Sequence, residues 1–318
     1  MTAEAIVRVE GLVKRYGSIV AVDGIGFDVG RGEMFGLIGP DGAGKTSTLR
    51  VLLGLSHRDA GTVSVCGLDP ASQGRLLSGR VGYLSQRFSL YGDLSVDENI
   101  AFFAALHDVK GWRPRRDGLL DMLRMTPFRA RQADRLSGGM KQKLALACTL
   151  IHTPELIVLD EPTTGVDPVS RRDFWKILVQ VQEQGVTILL TTPYLDEAER
   201  CRRVAMMSGG RLLAVDDPRR LRREAPGTMV EVLARPARRA AGVARSAPGV
   251  ESVQVFGERL HVSIPGVSPP QAAEAAERLA ALLRAEGLEV ESARPVPFSL
   301  EDVFIARLQG PIAAAGAP

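Results

Sequence analysis

Gly39-Pro-Asp-Gly-Ala-Gly44-Lys45-Thr46 is the stretch on which the reading of this 318-residue chain turns. It matches the pattern G-x-x-x-x-G-K-[ST]. The apolar run Met34–Ile38 before it is predicted to be a short buried strand, and Lys45–Gly54 after it a helix. That is the context the pattern needs. Glycines let successive backbone N–H groups curl round phosphate oxygens without Cβ clashes, and the helix start adds the positive end of its dipole. Gly39, Pro40, Asp41, Gly42, Ala43, Gly44, Lys45, Thr46 and Ser47 are therefore candidate phosphate-binding positions. The Lys45 ammonium can reach the outer phosphates, and the Thr46 hydroxyl can ligate Mg²⁺.

Working outward, Leu156-Ile-Val-Leu-Asp160-Glu161 is an apolar strand that ends in acid. Such a strand sets carboxylates at the carboxyl edge of an open α/β sheet, where ligands bind. Asp160 is the candidate for holding Mg²⁺, and Glu161 for polarising an attacking water. Upstream, Ser137-Gly138-Gly139 opens a helix that runs to Leu150. Ser137 suits the N-cap. Two glycines in a first turn weaken a helix by about 1 kcal/mol each relative to alanine, so their presence points to exposed N–H groups presented to a phosphate.

Short apolar runs alternate with amphipathic stretches up to Asp217, which argues for a parallel sheet covered on both faces. Ser95 with Glu98 reads as a capping box, and Asp167-Pro168 as a helix start with proline at the first turn. Beyond Asp217 the pattern changes. A basic run, Arg219–Arg223, leads to a strand–helix–hairpin–helix–strand order over 229–309, expected to form a small α+β ferredoxin-like domain. The expected division is 1–217, a basic linker at 218–228, 229–309, and a small-residue tail at 310–318.

Composition narrows the function. At about 150 residues per domain, the length suits two domains. The apolar fraction of 45% supports an ordinary core, and the net charge is only +3. Aromatics at 5% are too few for base-stacking platforms, so nucleic acid is not an expected partner. All but six of the 40 basic residues are arginine. Cys66, Cys148 and Cys201 offer neither a disulfide frame nor a zinc site and fit a reducing compartment. His57, His107, His152 and His261 show no metal-ligand spacing. No apolar run approaches the ~20 residues of a membrane span, and the first ten residues do not resemble a signal peptide.

The glycine-rich loop, Ser137-Gly138-Gly139 and Asp160-Glu161 fall in the order and spacing of the ATP-binding cassette (ABC) ATPases. The resemblance covers about residues 5–217. It implies an α/β P-loop NTPase cassette: a RecA-like core with an antiparallel β subdomain and a helical subdomain, binding ATP and Mg²⁺. Gln86, in Tyr83-Leu-Ser-Gln86, resembles the family's Q-loop glutamine, which touches Mg²⁺ and reports to a membrane partner. Tyr16 resembles the aromatic that stacks on adenine, and Gly165-Val-Asp167 the D-loop. The resemblance also implies that Ser137, Gly138 and Gly139 contact the γ-phosphate bound by a second copy, so that two ATPs lie between two such domains.

Gly82–Tyr91, Gly139–Leu144 and Glu161–Pro168 are similar to ATP-binding subunits of bacterial drug and polysaccharide exporters. Those serve separate integral membrane permease subunits from the cytoplasmic face of the membrane. Phe88, Leu90 and Tyr91 are the expected docking residues, because apolar side chains in a surface loop usually mark a partner site. Three positions depart from the family. Asp41 stands for the usual asparagine, Met140 for the usual glutamine, and Pro193 for the switch histidine; proline supplies no donor. A soluble ABC ATPase of nucleic-acid repair or translation is the rival, but this chain carries one cassette and no heptad insert between Lys45 and Ser137. A non-catalytic regulatory subunit would suit Pro193, and Lys45, Asp160 and Glu161 speak against it.

Overall fold

Three strands made wholly of buried residues, β3 (Met34–Ile38), β6 (Leu156–Asp160) and β7 (Thr187–Thr192), form the centre of the first of two structural units. The computed structural model describes residues 5–86 and 90–309. It divides between Asp217 and Pro218.

In the first unit, β5 (Val81–Leu84), β6, β7, β3 and β8 (Arg203–Ser208) lie side by side and parallel, and β9 (Arg211–Asp216) closes the edge antiparallel to β8. Continuous apolar strands are what a sheet covered on both faces requires. A second, antiparallel sheet has the order β2 (Ile19–Gly30), β1 (Ala5–Tyr16), β4 (Ala60–Val65). One core joins the sheets. Leu12, Val22 and Phe27 share it with Leu37, Leu49, Val158 and Leu189, and the Phe27 and Phe35 rings stack at 5.4 Å.

The helices are α1 (Lys45–Leu52), α2 (Pro70–Leu77), α3 (Val96–Leu106), α4 (Arg113–Met122), α5 (Gly138–Leu150), α6 (Pro168–Glu183) and α7 (Leu195–Ala198). The capping box at the start of α3 is present: Glu98 accepts from the Ser95 N–H, and Ser95 Oγ from the Glu98 N–H. A cap of this kind contributes about 1 kcal/mol. Among the described residues no helix is long and apolar enough to cross a membrane.

The register explains where chemistry can sit. Asp160 at the end of β6 pairs with Thr191 of β7, and Ile38 at the end of β3 pairs with Thr192. Three adjacent carboxyl ends therefore open beside the start of α1, the crevice in which open α/β sheets bind ligands.

The second unit begins at Pro218 with the short helix α8 (Pro218–Arg223), whose Pro218 and Leu221 are buried. Its sheet is antiparallel, in the order β11 (Ser252–Phe256), β12 (Arg259–Ile264), β10 (Thr228–Arg235), β13 (Glu289–Val296). The helices α9 (Ala237–Arg245) and α10 (Ala272–Ala285) set Ala240, Ala244, Ala276 and Leu283 against Val230, Val232 and Val262. Alanine at these positions lets helix and sheet backbones approach closely. The last helix, α11 (Leu300–Gln309), packs against α8 and brings buried Asp302 within 3.1 Å of His261.

Candidate active site

The loop before α1 folds tightly because this chain's own backbone leaves no room for side chains. A Cβ on Gly39 would lie 2.1 Å from the Met207 carbonyl, and one on Gly44 would lie 2.3 Å from that of Ala21. Gly44 also has φ 102°, a left-handed backbone that costs an L-residue about 1–2 kcal/mol. Pro40 and Asp41 are exposed and Ala43 is buried. Lys45 begins α1 almost fully buried and donates to the Gly39 and Pro40 carbonyls at 2.7 and 3.1 Å.

Acid and base meet at the strand ends. Lys45 Nζ is 3.3 Å from Glu161 Oε1, with both side chains over 90% buried. Gln86 Nε2 donates to Glu161 Oε2 at 3.0 Å, and Thr164 Oγ1 donates to the same oxygen at 3.3 Å. Thr46 Oγ1 donates to Asp160 Oδ1 at 3.1 Å, which is reached also by Thr191 Oγ1 at 2.7 Å. The sheet thus collects Lys45, Thr46, Gln86, Asp160 and Glu161, distant in the sequence, into one polar cluster. Glu161 sits at φ 48°. A side-chain-bearing residue holds such a backbone only where its surroundings over-determine it. Here the Glu161 N–H is bonded to Thr191 Oγ1 at 3.0 Å.

The oxygen donors suit a hard divalent cation. A hydroxyl and a carboxylate side by side are the few protein ligands that Mg²⁺ takes when it keeps most of its waters and the substrate's phosphates. Burial raises the pKa of Tyr83, and the Asp160 charge raises it further.

The remaining candidates surround this cluster to differing degrees. Tyr16 is 43% exposed, with the Lys14 ammonium 4.9 Å from its ring. Partial burial raises its pKa, but hydrogen bonds with Ser56 and Ser47 and the Lys14 charge outweigh this and lower it overall. Ser137 caps α5, with Met140 N–H donating to its Oγ at 3.4 Å. Asp167 caps α6 and accepts from the N–H groups of Val169 and Ser170 at 3.1 and 2.9 Å. Donation from Ser170, first of all its side chain, holds the Asp167 carboxyl below the usual range. Among the described residues, the side chains of Tyr16, Ser137 and Asp167 share no hydrogen bond with the Lys45–Glu161 cluster, and Gly138 and Gly139 have no side chain to offer.

One expectation shifts. Leu90 is half-buried and lines a small cavity with Tyr83, Leu84, Phe103 and Cys148. The exposed apolar side chains nearby are Tyr91, at 4.6 Å edge-on to Phe102, with Phe102 and Leu106 on α3. Phe88 lies outside the described residues. His107 and His152 stack at 3.9 Å, and burial pushes His152 down to about 4 and lowers His107 as well.

Sequence reading missed Thr191, Thr163, Arg171 and Glu197. Glu197 is buried on α7 and accepts from Thr163, Thr192 and Arg171. Lone hydroxyls at strand ends carry no motif. The available signal was the acid in Leu195-Asp-Glu-Ala198, on a short helix directly after an apolar strand.

Comparison with known proteins agrees with this geometry. Residues 22–164 match the family model described as ABC transporter. The chain is 43% identical over 222 residues to the probable multidrug ABC transporter ATP-binding protein YbhF of Escherichia coli, covering 69% of this chain and 38% of that protein. It therefore spans well under half the length of that relative. It is 42% identical over 219 residues to the Nod factor export ATP-binding protein I of Ralstonia nicotianae, covering 68% of each. Among solved structures, cbiO1 of Clostridium perfringens, part of the ABC transporter complex cbiONQ, has a TM-score of 0.65 at 27% identity, covering 70% of this chain and 92% of that one. With two thirds of both chains aligned at over 40% identity and the phosphate loop, carboxylates and glutamine assembled on a cassette fold, the chain belongs to the ABC transporter family, among its ATP-binding proteins.

Proposed function

We propose that this chain is the ATP-hydrolysing nucleotide-binding subunit of an exporter of drugs or other amphipathic compounds. It would work at the cytoplasmic face of the membrane through separate permease subunits. The observation that carries the reading is the convergence on Glu161 of Lys45 at 3.3 Å and Gln86 at 3.0 Å, beside the Thr46–Asp160 oxygen pair. The relatives named for multidrug and Nod factor export support the direction of transport.

Each residue has a distinct task. The loop N–H groups and the α1 start bind the phosphates of ATP. Lys45 leaves the loop carbonyls for the outer phosphates. Thr46 and Asp160 would hold Mg²⁺, with Gln86 beside them, and the ion when bound supplies positive charge against the phosphate oxygens. Glu161 accepts a proton from the attacking water. Its hydrogen bonds from Gln86 and Thr164 aim the carboxylate. Tyr16, exposed and near Ser47, offers its ring to the adenine. Ser137, Gly138, Gly139 and Asp167 act on the ATP held by a second copy in a head-to-tail dimer.

The exposed Tyr91, Phe102 and Leu106 form the apolar surface for the permease. The proposed divisions are 1–217, 218–228, of which Pro218–Arg223 form α8 within the second unit, and 229–309; the tail at 310–318 lies outside the described residues. The order β11-β12-β10-β13 with two helices on one face supports a ferredoxin-like assignment for the second unit. The soluble repair or translation ATPase is not favoured: α3 and α4, between Lys45 and Ser137, are only 11 and 10 residues long and form no coiled-coil insert among the described residues.

Glu161→Gln tests the reading because it keeps shape and loses basicity. The variant is expected to bind ATP normally while turnover falls by ~10²-fold or more. Parental turnover would remove Glu161 from this role.

A further inference from the structure

The buried carboxylate of Glu197 has no part in the reaction as described, yet three elements converge on it. Its Oε1 accepts from Thr163 Oγ1 at 2.6 Å and from Arg171 Nε at 3.1 Å. Its Oε2 accepts from Thr192 Oγ1 at 2.7 Å. The side chain is 2% exposed, and a buried charge is retained only when it is fully paired. Arg171 supplies the opposite charge.

Two of the donors lie close to the candidate catalytic residues. Thr192 follows Thr191, whose hydroxyl binds both Asp160 and the Glu161 N–H. Thr163 lies two residues after Glu161, in a turn where the Thr164 N–H returns to the Glu161 carbonyl at 3.2 Å. Glu197 therefore anchors both segments that force Glu161 into its left-handed backbone at φ 48°. Arg171 extends the anchor to α6, the helix that Asp167 caps, and its guanidinium lies 4.6 Å from the Tyr194 ring. Pro193 sits inside this brace, and the Tyr194 N–H after it is bonded to Thr192 Oγ1.

We propose that Glu197 is a positioning residue for Glu161: by holding Thr163 and Thr192 it sets the aim of the water-activating carboxylate, and through Arg171 it couples that aim to α6. This rests on Glu161 being the general base. Both Glu197 oxygens are already engaged, by Thr163, Arg171 and Thr192.

Steady-state ATPase of the full chain, with ATP binding and thermal midpoints measured alongside, tests it. Misaiming by an ångström or less costs ten- to a hundredfold in rate. Thr163→Val, which removes one hydroxyl, is expected to lower kcat about tenfold with KM within twofold. Glu197→Ala is expected to lower kcat further. Glu197→Gln is expected to recover most of it, because its amide oxygen still accepts from Thr163 and its NH₂ can donate to Thr192 Oγ1. Since both changes break one linkage, Thr163→Val added to Glu197→Ala is expected to cost little more. Parental kcat in Thr163→Val, or a fall confined to the thermal midpoint, would overturn the proposal, and Thr163→Val decides it even if Glu197→Ala fails to fold. Glu161→Gln separates the two readings. If it is inactive while Thr163→Val is unaffected, only the positioning role falls; if Glu161→Gln is fully active, the base assignment falls.

Discussion

Two helices of this chain start at glycines, and the two starts owe them to different causes. Before α1, Gly39 and Gly44 are demanded from within: a Cβ at either would strike a carbonyl of this same chain at 2.1 or 2.3 Å. At the start of α5, Gly139 is also demanded from within, by Ser170 of α6 at 2.5 Å, but Gly138 is exposed and a Cβ there would meet nothing within 4 Å. The first start builds a phosphate loop whose shape its own chain dictates. The second leaves an open face at Gly138, where nothing among the described residues calls for glycine, which is what a half-site completed by a second copy requires.

Substitutions separate the two causes. Gly44→Ala forces a side chain into both a left-handed backbone and a carbonyl, at a cost of at least about 2 kcal/mol. The expected result is a melting point lower by several degrees together with lost ATP binding. An unchanged melting point would break the internal half of the comparison. Gly138→Asp has the opposite signature. An acid in the first turn of a helix is favourable to the helix dipole, so the melting point should hold or rise. Turnover should fall by ~10²-fold or more, because the charge would face a γ-phosphate. A variant that hydrolyses ATP like the parent would leave Gly138 without a function.

The next effect concerns a donor missing from the first site. Pro193 offers no N–H, and one preorganised donor to developing charge is typically worth ~3 kcal/mol, about a hundredfold in rate. Pro193→His is expected to raise kcat ten- to a hundredfold with KM almost unmoved. A variant no faster than the parent would mean that the contact is supplied elsewhere. The smallest effect belongs to Asp167, beside the second start. Its carboxyl is held below its usual pKa by Ser170, so its share of stability is present above the unfolded value near 4 and is lost as pH falls through the lower folded value. Asparagine caps as well as aspartate. The stability difference between Asp167→Asn and the parent should be constant from pH 6 to 9 and change only below about pH 4.5. A dependence near neutrality would show another group titrating there.

Legibility followed how much each residue type constrains by itself. The strand–loop–helix around Lys45, the buried Leu156–Asp160 strand and the caps at Ser95, Ser137 and Asp167 could be read because glycines, apolar runs and capping side chains act locally. The hairpin of β8 and β9 carried only weak alternation. The helix α4 has a polar, glycine-interrupted sequence, Arg113–Met122, that declares itself only when Leu119 and Leu120 are buried. Within the site, Lys45, Thr46, Asp160 and Glu161 announced themselves. Thr191 and Glu197 did not, since a buried hydroxyl or carboxylate becomes significant only once the sheet order sets β7 between β6 and β3.

The central claim is that the site built around Lys45 and Glu161 is completed by the Ser137–Gly139 face of a second copy. Light scattering on Glu161→Gln with ATP and Mg²⁺ addresses it directly, because hydrolysis is removed while the pairing should persist. The expected result is an ATP-dependent doubling of mass that Gly138→Asp, placed in the same chain, abolishes without weakening ATP binding to the single copy. A Glu161→Gln chain that binds ATP and stays monomeric, or a doubling that survives Gly138→Asp, would contradict the claim.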